Sequence, residues 1–203
     1  MKTQLFVALL LLSMTTGSFA ANYILTIGSE SYDLSLDEET RIKVGEDYVA
    51  VKLEQKNILL YATENFSFEH PSQYSPSKSN LGNGIAQTAM MTPLGSLVLI
   101  QEYLNLDPSN LIDLMVSEIT KTEREYGYQI ETSDHSTTLA DGKVLNGKAV
   151  TSKYKGSDIK RYFYAYSTKD SGLFIITQVD YEIDPTGDSI IDRAVNSLKI
   201  EMQ

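Results

Sequence analysis

The carboxylates of Asp180, Glu182, Asp184 and Asp188 crowd the junction between an apolar stretch and a proline-marked helix start. In an extended chain the first three point the same way, and hard oxygen donors of this kind suit calcium. Their spacing lacks the fixed glycine of a calcium loop, and Asp184 before Pro185 reads more simply as a helix N-cap on a solvated acidic edge. Asp134, His135 and Ser136 set three triad residue types side by side. A nucleophile and its base must meet through space, however, and no Gly-x-Ser-x-Gly elbow precedes any serine. His70, the only other histidine, stands before Pro71 and reads as an extended residue ending a strand. The chain has no Walker loop, dinucleotide glycine pattern or zinc spacing, so the expectation is a protein that is not an enzyme and uses no cofactor.

Three further groups could bind without reacting. Tyr162, Tyr164 and Tyr166 recur at every second position, which puts three rings on one face of a strand. They can stack on a sugar or an aromatic ligand, or they can form one wall of a core with their hydroxyls at its edge. Lys153, Lys155, Lys160 and Arg161 make the one local basic patch on an acidic chain, either guarding a hairpin edge or meeting an acidic partner. Met90, Met91 and Met115 can line a soft groove or fill an irregular core.

These side chains have to be held by strands and two helices. Alternating segments at Tyr23 to Ile27, Tyr32 to Leu36, Arg41 to Val44 and Tyr48 to Leu53 predict β-hairpins at the start. Ile58 to Glu69 and Ile85 to Met91 read as strands. Between them Pro71 to Gly84, with two prolines, four serines and two glycines, reads as a loop. The unbroken Leu97-Val98-Leu99-Ile100 run predicts a central strand buried on both faces. Asp107-Pro108 opens an amphipathic helix that Gly127 ends. Val144 to Tyr154, Ile159 to Ser167 and Leu173 to Tyr181 form an antiparallel meander, and Asp184-Pro185 opens a second helix. A turn at Gly156-Ser157 would set Tyr162 opposite Thr151, Tyr164 opposite Ala149 and Phe163 opposite Val150.

The chain of 203 residues begins with a single lysine, an apolar run from Leu5 to Leu12 and the small-residue pattern Ser18-Phe19-Ala20. That is the pattern of a secretory leader cut after Ala20, too short for a membrane span. There is no cysteine, so neither a lipid-modified cysteine anchor nor a disulfide framework is available. The remainder is within the size of a single domain and carries a net charge more negative than the −10 of the full chain, which disfavours nucleic acid and anionic lipid as partners. A soluble periplasmic or secreted bacterial protein is expected.

A strand closing in Phe66-Ser67-Phe68-Glu69-His70-Pro71, a serine-rich loop, a buried strand, a helix, a meander and a last helix ending in Asn196-Ser197-Leu198-Lys199-Ile200 follow one another in order. From Ile58 to Glu201 this order resembles the PsbP-like superfamily, which includes the photosystem II extrinsic subunit, a Ran-binding import factor and small bacterial exported proteins. The resemblance implies an α+β fold, an α/β/α sandwich with a central antiparallel sheet flanked by helices, here with an N-terminal β-hairpin extension. The expected division is a signal peptide at 1–20, the hairpin extension at 21–57 and the PsbP-like domain at 58–203. The resemblance also implies a non-catalytic binding or assembly factor, expected here to hold an unidentified envelope protein through the Pro71 to Gly84 loop, the meander tips or the sheet–helix groove. The alternative expectation is a carrier of a small apolar or aromatic ligand between sheet and helix.

Overall fold

The structure, a computed structural model, describes residues 23–202. The expected leader lies outside them. Among the described residues no helix is long and apolar enough to cross a membrane. The chain divides into two compact units, one ending at Gln55 and one starting at Lys56.

The first unit is two hairpins. Strands β1 (Tyr23–Ile27) and β2 (Glu30–Leu34) pair antiparallel, as do β3 (Glu39–Val44) and β4 (Asp47–Lys52). A parallel bridge between Leu36 and Leu53 ties the two hairpins, and Leu34 and Ile42 are their buried residues.

The second unit is α+β and mostly antiparallel sheet. Its strands are β5 (Ile58–Ala62), β6 (Phe66–Pro71), β7 (Ser77–Gly82), β8 (Ile85–Met91), β9 (Leu97–Tyr103), β10 (Gln129–Thr138), β11 (Val144–Tyr154), β12 (Ser157–Ser167), β13 (Gly172–Asp180) and β14 (Lys199–Ile200). Seven of them form one sheet in the order β10-β11-β12-β13-β9-β8-β7, and β14-β6-β5 form a smaller one. The central strands β13 and β9 carry apolar residues on both sides, as the Leu-Val-Leu-Ile run predicts.

One face of the large sheet packs Phe163, Phe174, Ile176 and Val150 against helix α1 (Ile112–Ile119) through Ile112, Met115, Val116 and Ile119. The other packs Val98, Ile100, Leu173 and Ile175 against helix α3 (Gly187–Ser197) and the aromatic side chains of β6. Each fully buried Phe, Leu or Ile side chain contributes about 1.5–3 kcal/mol, so both faces hold the sheet.

Five local expectations are corrected. The segment Pro71 to Gly84 is not all loop: Ser77–Gly82 is β7, a strand made by its pairing with β8 rather than by any apolar alternation of its own. The strand β10 is absent from the sequence reading because its Ser, Thr and acidic residues alternate no hydrophobic face. The single predicted helix breaks at Thr120, where the buried hydroxyl donates to the Val116 carbonyl at 2.6 Å and the backbone leaves the helical basin; only the short α2 (Lys121–Glu125) follows before Gly127 at φ +91°.

The β11–β12 turn is Lys155-Gly156, both at positive φ, which suits a two-residue hairpin. The pairing therefore slides by two positions: Tyr162 lies opposite Ala149, Tyr164 opposite Gly147 and Phe163 opposite Lys148. A slide of two keeps every side chain on its face. Finally, α3 starts at Gly187 with Thr186 before it, so Asp184 is not its N-cap.

Candidate functional site

The small residues Ala149 and Gly147 leave space above β11 into which the tyrosine rings lean. Tyr162 and Tyr164 stack with centroids 5.9 Å apart and planes within 5°. His135, delivered by β10 opposite Gly147, places its ring 4.7 Å from that of Tyr162 and its Nδ1 3.1 Å from the Tyr164 hydroxyl. Tyr164 is buried, and burial first, then the nearby Tyr162 and Asp192, push its hydroxyl well above the usual tyrosine range. It is a neutral core group. Tyr162 and Tyr166 are half-buried against the same core.

Beside Tyr162, between β12, β13 and α3, lies a cleft of about 210 Å³ lined also by Lys160, Tyr181, Asp188 and Asp192. The Tyr181 hydroxyl donates to Asp188 at 3.0 Å. Lys160 holds its ammonium 5.1 Å from the centre of the Tyr162 ring, and the contact with Tyr162 keeps its pKa above the ordinary lysine value.

The four acids of the β13–α3 junction do not share a centre, and among the described residues no group of three or more His, Asp or Glu side chains is placed to hold a metal ion. Asp180 turns back on its own loop, accepting from the backbone of Glu182 at 3.1 Å. Asp184 is buried and clamps the β8–β9 turn to the α3 approach, accepting from Thr92 Oγ1 at 2.7 Å and Thr186 Oγ1 at 3.0 Å. Burial alone would raise its pKa, but the hydroxyls of Thr92 and Thr186 outweigh that and hold the carboxyl below the usual aspartate range. Glu182 is exposed.

The basic patch is divided between the two faces of the hairpin. Lys153 pairs with Glu131 at 2.8 Å on β10, and Lys155 sits in the turn with its ammonium over the Tyr154 ring. Arg161 points to the opposite face from Lys160 and is buried. Its guanidinium forks onto Glu123 of α2 at 2.6 and 3.1 Å and donates to Gln178 Oε1 at 2.7 Å and Ser152 Oγ at 3.2 Å. Arg161 is a structural cation, committed to Glu123. His70 is buried with Nδ1 2.9 Å from the Pro71 carbonyl, away from His135 in the fold. Met90 is in the core, Met91 is exposed and Met115 packs on α1's face, so the three do not form one groove.

Within Pro71 to Gly84, read from the sequence as a loop that could hold a partner, the feature that was missed is a strand, β7, at the end of the large sheet. β7 is the last strand there, and all six of its residues are exposed. Behind it, on the face of β8 and β9 that also carries the tyrosines, is a pocket of about 340 Å³ whose lining includes Asn65, Lys78, Asn80, Ala86, Glu102 and Leu104. Glu102 is only 3% exposed; Lys78 Nζ donates to its Oε1 at 2.7 Å and Asn65 Nδ2 to its Oε2 at 2.6 Å. A charged residue in the buried strand β9, just past the apolar run Leu97 to Ile100, is the signal that could have pointed here.

No protein-family model matches the chain, and no curated protein matches it. Among solved structures, it is similar to the solution structure of PsbP (CyanoP) from the cyanobacterium Synechocystis sp. PCC 6803. The two share 8% identity at a TM-score of 0.48, over 71% of this chain and 92% of that one.

Proposed function

We propose that this chain is an exported, non-catalytic binding or assembly factor of PsbP-like α/β/α build, which holds a protein partner in the cell envelope by adding a strand of that partner to β7. The observation that carries this reading is the exposure of all six β7 residues at the end of a seven-stranded sheet. Such an edge offers main-chain donors and acceptors for affinity, and a neighbouring pocket offers side-chain selectivity. The opposite edge, β10, is also exposed, but the pocket that holds the buried carboxylate of Glu102 lies at the β7 end. Exposed Leu81 and Leu104 flank the β7 edge and add apolar surface to it.

The side chains that acid–base chemistry would recruit are engaged in the fold: His70 on a backbone carbonyl and His135 on the Tyr164 hydroxyl. This supports a binding role over a catalytic one. The bulge between Asn80 and Gly82 and the lysine at position 78 discourage long self-pairing. A short segment opposite Ser77 to Asn80 is the fitting occupant.

A second reading has its own observation, the cleft beside Tyr162. At about 210 Å³ it is smaller than ordinary ligand pockets and would suit one ring, so a carrier of a small aromatic ligand is the alternative.

Native mass spectrometry of the tagged protein, purified gently from its own cells, distinguishes the two. A discrete added protein mass that disappears in Ser79→Lys, an exposed change on β7, is the expected result. A small added mass would favour the carrier, and a bare chain in both samples would remove the strand-addition reading.

A further inference from the structure

The pocket behind β7 has a composition that selects a ligand. Across the sheet Glu102 lies opposite Ala86 and Ala86 opposite Asn80, so a methyl group separates the carboxylate from the edge strand and leaves the space open. The lining holds two acids, Glu64 and Glu102, against one base, Lys78, on a chain of net charge −10. Lys78 reaches in from the edge strand itself, with its side chain 44% exposed, while the Glu102 side chain is 4% exposed. The carboxylate is fixed and the cation that meets it is not.

We infer that this pocket is a guanidinium or ammonium site: a basic side chain displaces Lys78 into solvent and takes Glu102 as its counter-ion, with the Asn65 amide holding the second carboxylate oxygen. An incoming guanidinium has the better geometry for this exchange, because its planar fork matches a carboxylate where lysine offers a point charge. Displacing Lys78 costs the worth of one half-exposed ion pair, offset in part because its ammonium moves to water and its stem regains rotamer freedom. Lining charge and overall charge both attract such a group. The inference rests on the reading of β7 as the partner-bearing edge for the source of that side chain: a short basic segment lying along Ser77 to Asn80 would present alternate residues to this face.

The probe is N-acetylarginine amide added to the full mature chain, followed by two-dimensional NMR, with N-acetylcitrulline amide as the neutral isostere. Saturable shifts at Asn65, Asn80, Ala86 and Glu102 with the arginine compound alone are expected. In Lys78→Met, where the competing ammonium is gone, binding is expected to tighten about tenfold, the worth of one charge-assisted contact. Equal binding of citrulline, or no saturable shift with wild-type protein, overturns the site; the wild-type comparison stands even where Lys78→Met fails to fold. A partner mass lost in Ser79→Lys together with no arginine response would leave the edge reading standing and sink the pocket. Arginine binding with no edge partner would support the pocket and sink the edge reading.

Discussion

Lys78 and Glu102 are joined by a 2.7 Å ion pair that runs from the exposed last strand of the sheet to a side chain only 4% exposed. The two groups are unequal. Removing the lysine strands a buried charge, a change that costs several kcal/mol when both partners are buried, but Lys78 is nearly half exposed and screened by water. Lys78→Met should therefore lower stability by about 1–2 kcal/mol. The double variant Lys78→Met/Glu102→Gln should recover most of that loss, because no buried charge remains. Urea unfolding midpoints of the three proteins test this; an unrecovered double variant would mean that packing, not charge, is what Lys78 supplies.

Arg161 and Glu123 make the opposite kind of pair, both ends largely out of water, with Gln178 and Ser152 completing the guanidinium's partners. Arg161→Met should destabilise by about 3 kcal/mol, and Arg161→Lys should recover little, since a point cation cannot serve Glu123, Gln178 and Ser152 together. Guanidinium denaturation of both variants reads the difference.

At position 147 a Cβ would come 1.7 Å from the Phe163 carbonyl oxygen, a backbone atom that cannot step aside. Gly147→Ala should cost about 3 kcal/mol or prevent folding, and the rings of Tyr164 and His135 above it should lose their contact. Thermal unfolding together with tyrosine near-ultraviolet circular dichroism would register both effects.

Asp184 supplies a pH-dependent contribution. Its folded-state pKa lies below the unfolded value, so its stabilisation is fully present above the ordinary aspartate range and is lost as pH falls through the folded value. Asp184→Asn should cost about 1.5–3 kcal/mol at neutral pH, the worth of hydrogen bonds to a charged acceptor. The gap between wild type and variant should close in acid. A gap independent of pH would show that the hydroxyls of Thr92 and Thr186 do not prefer the ionised form.

What could be read from the residues follows from where periodicity is strong. The Leu-Val-Leu-Ile run of β9, the α1 stripe through Val116 and the row of tyrosines each declared an element and a face. β7 and β10 declared nothing, because edge strands with exposed sides need no apolar alternation and are held by their neighbours' hydrogen bonds. The same blindness hid the pocket: Asn65, Lys78, Ala86 and Glu102 come from four strands or turns and meet only through the pairing of β7, β8 and β9 and the β5–β6 turn. Arg161 was read with its lysine neighbours because spacing alone does not reveal Glu123, which a helix brings to it from across the sheet. Asp184 before Pro185 fits an N-cap pattern, yet its carboxylate was taken by Thr92 from a distant turn.

The most direct test of strand addition at β7 is hydrogen–deuterium exchange of the isolated chain beside the chain in the complex recovered from its own cells. The account predicts slowed exchange at Ser77 to Asn80, where an added strand would take up the outward amides, with the β10 edge from Gln129 to Thr138 unchanged. Unchanged exchange along β7, or protection confined to β10 or to the Lys155-Gly156 turn, would contradict it.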